Sequence, residues 1–332
     1  MDNKKKSSSI SILIIILGVV LIVGGLMAAF FLNGGNKDGL KNDMTPKTSN
    51  ITPLMYEITK EGSDTKIYLF GSIHATNADD SQLPEYVMNA YKNSGYVACE
   101  YDMVAKQTDV EAQQLTLDLL RYSDGTTIKD HLSKDTYERL IKFLKENNSY
   151  SDVYEEFKPV MFYELVEQAI AAKANINFLN GIDMRIVRKA KEDNKTILEV
   201  ETYEFQMNLL LNMSDRLYEI LINNMINDPE SAATELKNLY EAWKKGDPDK
   251  ILEVESSESK TEDYTEEDLK LISEYNKSLI TDRNITMTDK LEEYFNSGYN
   301  TFFMVGAGHL VGEDGIANLL VQRGYTVKQV NK

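Results

Sequence analysis

Apolar positions along this chain follow two rhythms, and the change from one to the other occurs at identifiable turns. Continuous apolar or β-branched runs appear in "PLMYEIT", "KIYLFGS", "YVACEYD", "TILEVE" and "NTFFMVG", each closed by Gly or a polar residue. Such runs read as buried strands. The polar "KEGSD" between the first two predicts a hairpin. Elsewhere the apolar residues recur at i, i+3 and i+4, which predicts helices in "LPEYVMNAYKNSG" (with Gly95 as its C-terminal stop), "DVEAQQLTLDLLRY", "SKDTYERLIKFLKENN" and "PVMFYELVEQAIAAKA". "GIDMRIVRKAKEDNKTILEVET" passes from helix through an Asn-containing turn to strand. A long helical section from about Tyr203 to Phe295 follows, broken by the acidic, exposed loop "EVESSESKTEDYTEED". The last stretch reads strand, Gly-rich turn, helix, Gly324, strand. Strand, loop, helix, strand is the grammar of an α/β fold: a central mixed sheet flanked by helices, here with a large helical middle section.

One apolar run has a different character. Ile10–Leu32 contains 23 residues and no charge. At about 1.5 Å per residue, a helix of that length spans a bilayer core of roughly 30 Å. Lys4, Lys5 and Lys6 precede it and should remain cytoplasmic. The expected organisation is a basic cytoplasmic head at 1–9, a single-pass transmembrane anchor at 10–32, a flexible linker at 33–52 and an extracellular domain at 53–332. A cleaved signal peptide is the alternative, but its apolar core normally runs about 7–15 residues, and "GGLMAAFF" offers no A-x-A site.

The formal net charge is −17, which argues for solubility and against nucleic acid as a partner. The one cysteine, Cys99, lies in a strand-like run and reads as a small buried hydrophobe.

Candidate chemistry centres on two of the three histidines. "LFGSIHAT" and "MVGAGHLV" each end an apolar run in Gly-x-x-His, placing His74 and His309 at the carboxyl ends of strands. That edge of an α/β sheet is where ligands bind. Loops of this kind on neighbouring strands would point both imidazoles into one crevice, a setting that suits a divalent ion with carboxylates completing its shell. Glu100 and Asp102 close "YVACEYD" at a spacing that puts both on one strand face, and Glu201 closes "TILEVE" ahead of Thr202, a helix cap. Read one at a time, such carboxylates are equally caps or salt-bridge partners. His131, before the N-cap candidate Ser133, reads as exposed and is given no catalytic role. No nucleotide-binding loop, nucleophile elbow, H-E-x-x-H or Cys-rich zinc pattern is present.

The ordered set "LFGSIHAT", "LPEYVMNAY", "ACEYD", "GIDMRIVRKA", "ILEVETYEFQ", "DRNITM" and "FMVGAGHLVGEDGIANLLVQRGYTV" resembles the TraB/GumN family, which includes Tiki-type membrane-tethered metalloproteases. The resemblance implies an erythromycin-esterase-like or ChaN-like α/β fold. It also implies an active site of His74, Glu100, Glu201, His309 and Arg283, with His74, Glu100 and His309 as metal ligands. Asp102, Gln206 and Asn284 fall at substrate-binding positions. The implied cofactor is manganese or cobalt, with zinc an option, and the implied substrate is a peptide or protein. The expected function is therefore a membrane-anchored, metal-dependent hydrolase acting on peptides. Its rivals are a metal-free esterase-like hydrolase, with His74 as base beside Glu100, and a non-catalytic module that captures a peptide or haem.

Overall fold

The computed structural model describes residues 50–77, 82–178, 181–255 and 264–330, and also the backbone of Ile10–Ser11 and Glu258–Ser259, which pair antiparallel. Apart from those two residues, the predicted anchor at 10–32 lies outside the described residues, as does the linker up to 49. Among the described residues no helix is long and apolar enough to cross a membrane.

The elements run β1 (Met55–Thr59), β2 (Ile67–Ser72), α1 (Glu85–Asn93), β3 (Tyr96–Cys99), α2 (Val110–Leu120), α3 (Lys134–Glu146), α4 (Pro159–Lys173), α5 (Ile182–Glu192) and β4 (Thr196–Glu199). They continue with α6 (Tyr203–Leu211), α7 (Asp215–Asn227), α8 (Pro229–Lys245), α9 (Pro248–Glu255), α10 (Glu266–Asn276), α11 (Asp282–Asn296), β5 (Thr301–Gly306), α12 (Ile316–Gln322) and β6 (Thr326–Gln329). The strands form one six-stranded mixed sheet in the order β4-β3-β5-β2-β1-β6. Strands β4, β3, β5 and β2 are mutually parallel, while β1 pairs antiparallel with both β2 and β6. The predicted hairpin is thus β1–β2.

Successive residues of β2 and β5 are buried, so both faces of these strands are covered, and they are accordingly continuous apolar runs rather than alternating ones. Phe70, Phe302 and Phe303 are fully buried. Phe302 packs against Phe70 with ring centroids 5.4 Å apart and meets Tyr91 of α1 edge-on at 5.9 Å, docking that helix on the sheet. Such aromatic pairs contribute about 0.5–1.5 kcal/mol beyond their buried area. Cys99 is buried, as expected.

Two local expectations change. Gly95 does not cap α1: the helix closes at Ser94, whose hydroxyl donates to Ala90 O at 2.9 Å. The Gly95 N–H instead crosses to Asn300 O at 2.9 Å, just ahead of β5. Strand pairing has claimed the residue that local grammar gave to the helix. His131 is not free on the surface. It stacks on Tyr122 with centroids 3.8 Å apart, and its Nδ1 lies 2.8 Å from an Asp215 carboxylate oxygen.

Helices α10 and α11 are joined by a π-helical turn, Lys277–Thr281. The result is one continuous helical rod in which Arg283 occupies the first turn of α11, rather than a polar stretch after a helix. Isolated π turns occur frequently at functional sites.

Candidate functional site

The carboxyl edge of the four parallel strands gathers the charged residues that follow them. Glu201 lies just beyond β4, Glu100 follows β3 directly, His309 follows β5 and His74 follows β2. Strand order alone therefore lines them up as Glu201, Glu100, His309, His74. The two Gly-x-x-His loops are next-door neighbours, because β2 and β5 pair in parallel with Ser72 opposite Gly306. Gly71 makes that closeness possible, since a Cβ there would sit 3.0 Å from the Ala307 Cα of the other loop. Trp243 fixes the end of β2 from behind, its indole N–H donating to Gly71 O at 2.9 Å.

The His74 loop is held against the start of α5. Thr76 and Asn177 exchange backbone hydrogen bonds at 3.1 and 3.0 Å, and Ile182 N donates to Ile73 O at 2.9 Å. These contacts bring Asp183 to His74, whose Nδ1 makes a short hydrogen bond to Asp183 Oδ2. Burial disfavours charge on the imidazole, but the charge and hydrogen bond of Asp183, helped by Glu100, outweigh it and raise the His74 pKa to about 9. His74 is therefore an imidazolium at neutral pH, with Nε2–H turned away from its carboxylate partner.

His309 has the opposite character. Its Nδ1 lies 2.6 Å from Asn284 Oδ1. The Asn284 amide nitrogen donates to Asp314 O at 2.8 Å, so the amide oxygen faces the ring. Nδ1 must then carry the proton, which leaves the Nε2 lone pair exposed as a base. Burial, reinforced by the positive charge of Arg283, lowers the His309 pKa to about 3 despite the opposing pull of Glu100.

Arg283 holds the two strand-end glutamates together. Its Nε and Nη2 grip Glu201 at 2.9 and 2.8 Å, and Nη2 also reaches Glu100 Oε2 at 2.8 Å. Nη1 donates to Leu279 O, within the π turn, at 3.3 Å. Gln206 Nε2 bridges the same glutamates at 2.7 Å to each, and Glu100 Oε1 accepts the Gly306 N–H at 3.1 Å. Burial opposes ionisation of Glu100, yet Arg283, both histidines and the Gly306 N–H hold its pKa far below the carboxylate norm. Arg283 itself is held fully protonated by Glu100 and Glu201 against the effect of burial.

His74, Glu100, Glu201, Gln206, Arg283, Asn284 and His309 thus form one constellation. Asp102 does not join it. β3 ends at Cys99, so strand alternation no longer governs the residues beyond, and Asp102 turns to cap the short helix Met103–Lys106 and to pair with Lys191 at 2.5 Å. Asp183 was missed by sequence reasoning. Its signal was an acidic residue just inside a Gly-initiated helix, which by itself reads as a favourable charge at a helix N-terminus.

The divalent metal that the resemblance implies would need donors that these side chains have already committed elsewhere. Both Glu100 oxygens are committed to Gly306, Gln206 and Arg283, and both Glu201 oxygens to Gln206 and Arg283. What remains is the pair of imidazole Nε2 atoms beside a guanidinium, short of the three protein ligands usual for a catalytic ion. Among the described residues no group of three or more His, Cys, Asp or Glu side chains is disposed to hold a metal. The residues as arranged do not fit the ion that the resemblance implies.

Comparison with known proteins places the chain. It is 23% identical over 269 residues to the uncharacterised protein YbaP of Escherichia coli K12, covering 80% of this chain and 90% of YbaP. The Shigella flexneri protein of the same name is 22% identical over 258 residues, covering 76% and 87%. No solved structure gives a significant match. Residues 54–329, which include every strand of the sheet and every member of the constellation, match the TraB/PrgY/gumN family, and the chain belongs to that family.

Proposed function

We propose that this constellation is a hydrolytic centre for carboxylic ester or amide bonds, working by acid–base catalysis between its two histidines. The observation that carries this reading is the setting of the two rings on neighbouring strand ends, a carboxylate at His74 Nδ1 and an amide oxygen at His309 Nδ1; Asp183 raises the His74 pKa to about 9, and burial with Arg283 lowers that of His309 to about 3. Titratable groups whose environments drive their pKa values apart mark an acid and a base. His309 Nε2 takes a proton from water, and the water oxygen adds to the carbonyl carbon. His74 Nε2–H gives its proton to the departing oxygen or nitrogen as the carbon–heteroatom bond breaks. Transfer of the proton from His309 to His74 then restores the starting state. Asp183 orients His74 as Asn284 orients His309. Arg283 uses four of its five N–H groups on Glu100, Glu201 and Leu279 O, which leaves one on Nη1 for a developing oxyanion. Glu100, Glu201 and Gln206 hold Arg283 in place.

Peptides are the first substrates to try, from the family resemblance. The same resemblance implies an erythromycin-esterase-like arrangement, which would suit the same class of esters and amides. The anchor at Ile10–Leu32 would hold the domain outside the membrane. The test is a panel of nitrophenyl esters and quenched-fluorescence peptides, run on the full chain after exhaustive chelation. Turnover that survives chelation and is lost in His309→Gln supports this reading. Turnover that appears only on adding manganese, cobalt or zinc replaces it with a metal-dependent mechanism. Tight peptide binding without turnover replaces it with a capture module.

A further inference from the structure

Gly306 ends β5 and opens the loop that carries His309, and neither of the usual reasons for a glycine applies to it. Its φ of −52° and ψ of 139° lie in extended backbone open to any residue. A Cβ built on it would clash with nothing. It would stand 3.6 Å from His309 Cδ2 and 3.8 Å from Glu100 Oε1, both ordinary contact distances, with no other heavy atom within 4 Å beyond its chain neighbours. Gly71 and Gly181 differ, because a neighbouring backbone crowds the place of a side chain at each. What is left to explain Gly306 is the space itself.

That space has a definite place in the site. Cδ2 is the ring carbon bonded to Nε2, so a side chain at Gly306 would point at the edge of the imidazole that carries the free lone pair. Asn284 occupies the ring at Nδ1 instead. The other wall is Glu100 Oε1, which the Gly306 N–H holds at 3.1 Å. Within this loop Ala307, His309 and Leu310 are buried, while Gly306 and Gly308 keep partial exposure. Solvent therefore meets the loop where side chains are missing.

We infer that Gly306 is a specificity-determining residue: the slot beside His309 receives the acyl substituent of the substrate, and the missing side chain sets how large that substituent can be. The inference rests on the hydrolytic reading above. A base that takes a proton from water attacking a carbonyl has that carbonyl close to its nitrogen. The carbon chain attached to the carbonyl then lies against one edge of the ring, and the edge at Cδ2 is the one the chain leaves open. In a peptide, the occupant is the side chain on the acyl side of the cleaved bond. A methyl at Gly306 would already touch both the ring and the carboxylate, so even alanine would fill the slot.

The test uses the full chain and Gly306→Ala, with two readouts. The first is kcat/KM on nitrophenyl acetate and nitrophenyl butyrate. The alanine should shift the ratio towards acetate by about tenfold or more, the scale of one methylene in a shaped pocket. A purely structural role, such as holding Glu100 through the Gly306 N–H, would lower both substrates together and overturn the inference. The second readout needs no turnover. Diethyl pyrocarbonate acylates neutral imidazole, and peptide mapping by mass reports the rate at His309, normalised to N-acetylhistidine in the same solution. His309 should be labelled in the wild type and severalfold more slowly in Gly306→Ala. An unlabelled His309, or equal rates in the two proteins, overturns the inference. If the wild type turns over neither ester, the hydrolytic reading fails and the labelling alone decides whether Gly306 opens the way to the ring. Gly306→Ala should keep or slightly raise the Tm, as alanine does where its conformation is allowed. A fall of several degrees would show the slot already filled and would also overturn the inference.

Discussion

The different characters of His74 and His309 lie in what surrounds each ring. A carboxylate, Asp183, keeps the His74 ring charged, whereas burial and the positive charge of Arg283 keep the His309 ring neutral, with the Asn284 amide oxygen fixing its proton on Nδ1. This difference should appear in stability against pH. For His74 the folded pKa of about 9 exceeds the ordinary 6.5, so its stabilisation is complete below pH 6.5 and is lost as pH climbs to about 9. For His309, near 3, the unfolded chain binds the extra proton between pH 3 and 6.5, so stability falls as pH drops through that window. Subtracting the Tm–pH curves of His74→Ala and His309→Ala from the wild-type curve should return these two windows on opposite sides of pH 6.5. Flat differences would refute the assigned charges. On any ester or amide the chain turns over, His309→Gln should cost about 10²–10⁴ in kcat, the range of a lost general base. Asp183→Asn should move the alkaline limb of the rate profile down from about 9 towards the ordinary histidine value. A purely structural role for Asp183 would leave the limb where it is.

At the scale of elements, short connections hold the constellation together, and they can be stressed one at a time. Gly181, the N-cap of α5, faces the His74 loop so closely that a Cβ would stand 2.5 Å from His74 O and 2.6 Å from Asp183 Oδ1. Gly181→Ala should therefore push the loop from α5, at about 1–3 kcal/mol, as overpacking does. The loss of rate should exceed that in a control alanine at Gly95, where the nearest atom is 3.9 Å away. Equal losses in the two variants would show that the His74–α5 contact does not matter to the site. The π turn acts on the other side, because it delivers Leu279 O and Arg283 together. Arg283→Met would leave two buried carboxylates without their cation, and a loss of about 3–5 kcal/mol in unfolding free energy is expected. Denaturant titration checks it, and a loss below about 1 kcal/mol would show that the clamp is already solvated.

Much of this scale was legible beforehand. Each Gly-x-x-His element was found where its apolar run stopped, and Thr202 caps α6 as its position implied. Asp102 was misread because the i, i+2 rule was carried past Cys99, where the strand had ended. Asp183 could not be found, since nothing local to "GIDMR" says that a loop 109 residues away will dock on it.

For the whole molecule, two expectations rest on the net charge and on the N-terminal apolar run. With a net charge of −17, the chain should show no retention of duplex or single-stranded DNA at about 0.15 M salt by fluorescence anisotropy. Salt-dependent binding would contradict the expected absence of a nucleic-acid partner. If Ile10–Leu32 spans a bilayer, the expressed full chain should sediment with membranes, resist alkaline carbonate and release only with detergent. Extraction by carbonate alone would remove the anchor from the account.

The sequence by itself determined which segments would be strands and helices, because burial on one or both faces imposes a period that composition records. It also marked His74, His309, Glu100 and Glu201 as strand-end residues, since an apolar run and its first charged follower are adjacent in the chain. Only the tertiary structure decided that these ends lie side by side in the order β4-β3-β5-β2, with Arg283 from a distant helix between the two glutamates. It also decided the charges. A pKa depends on distances of a few ångströms between groups that are remote in sequence, and the chain carries no local trace of those distances until it folds.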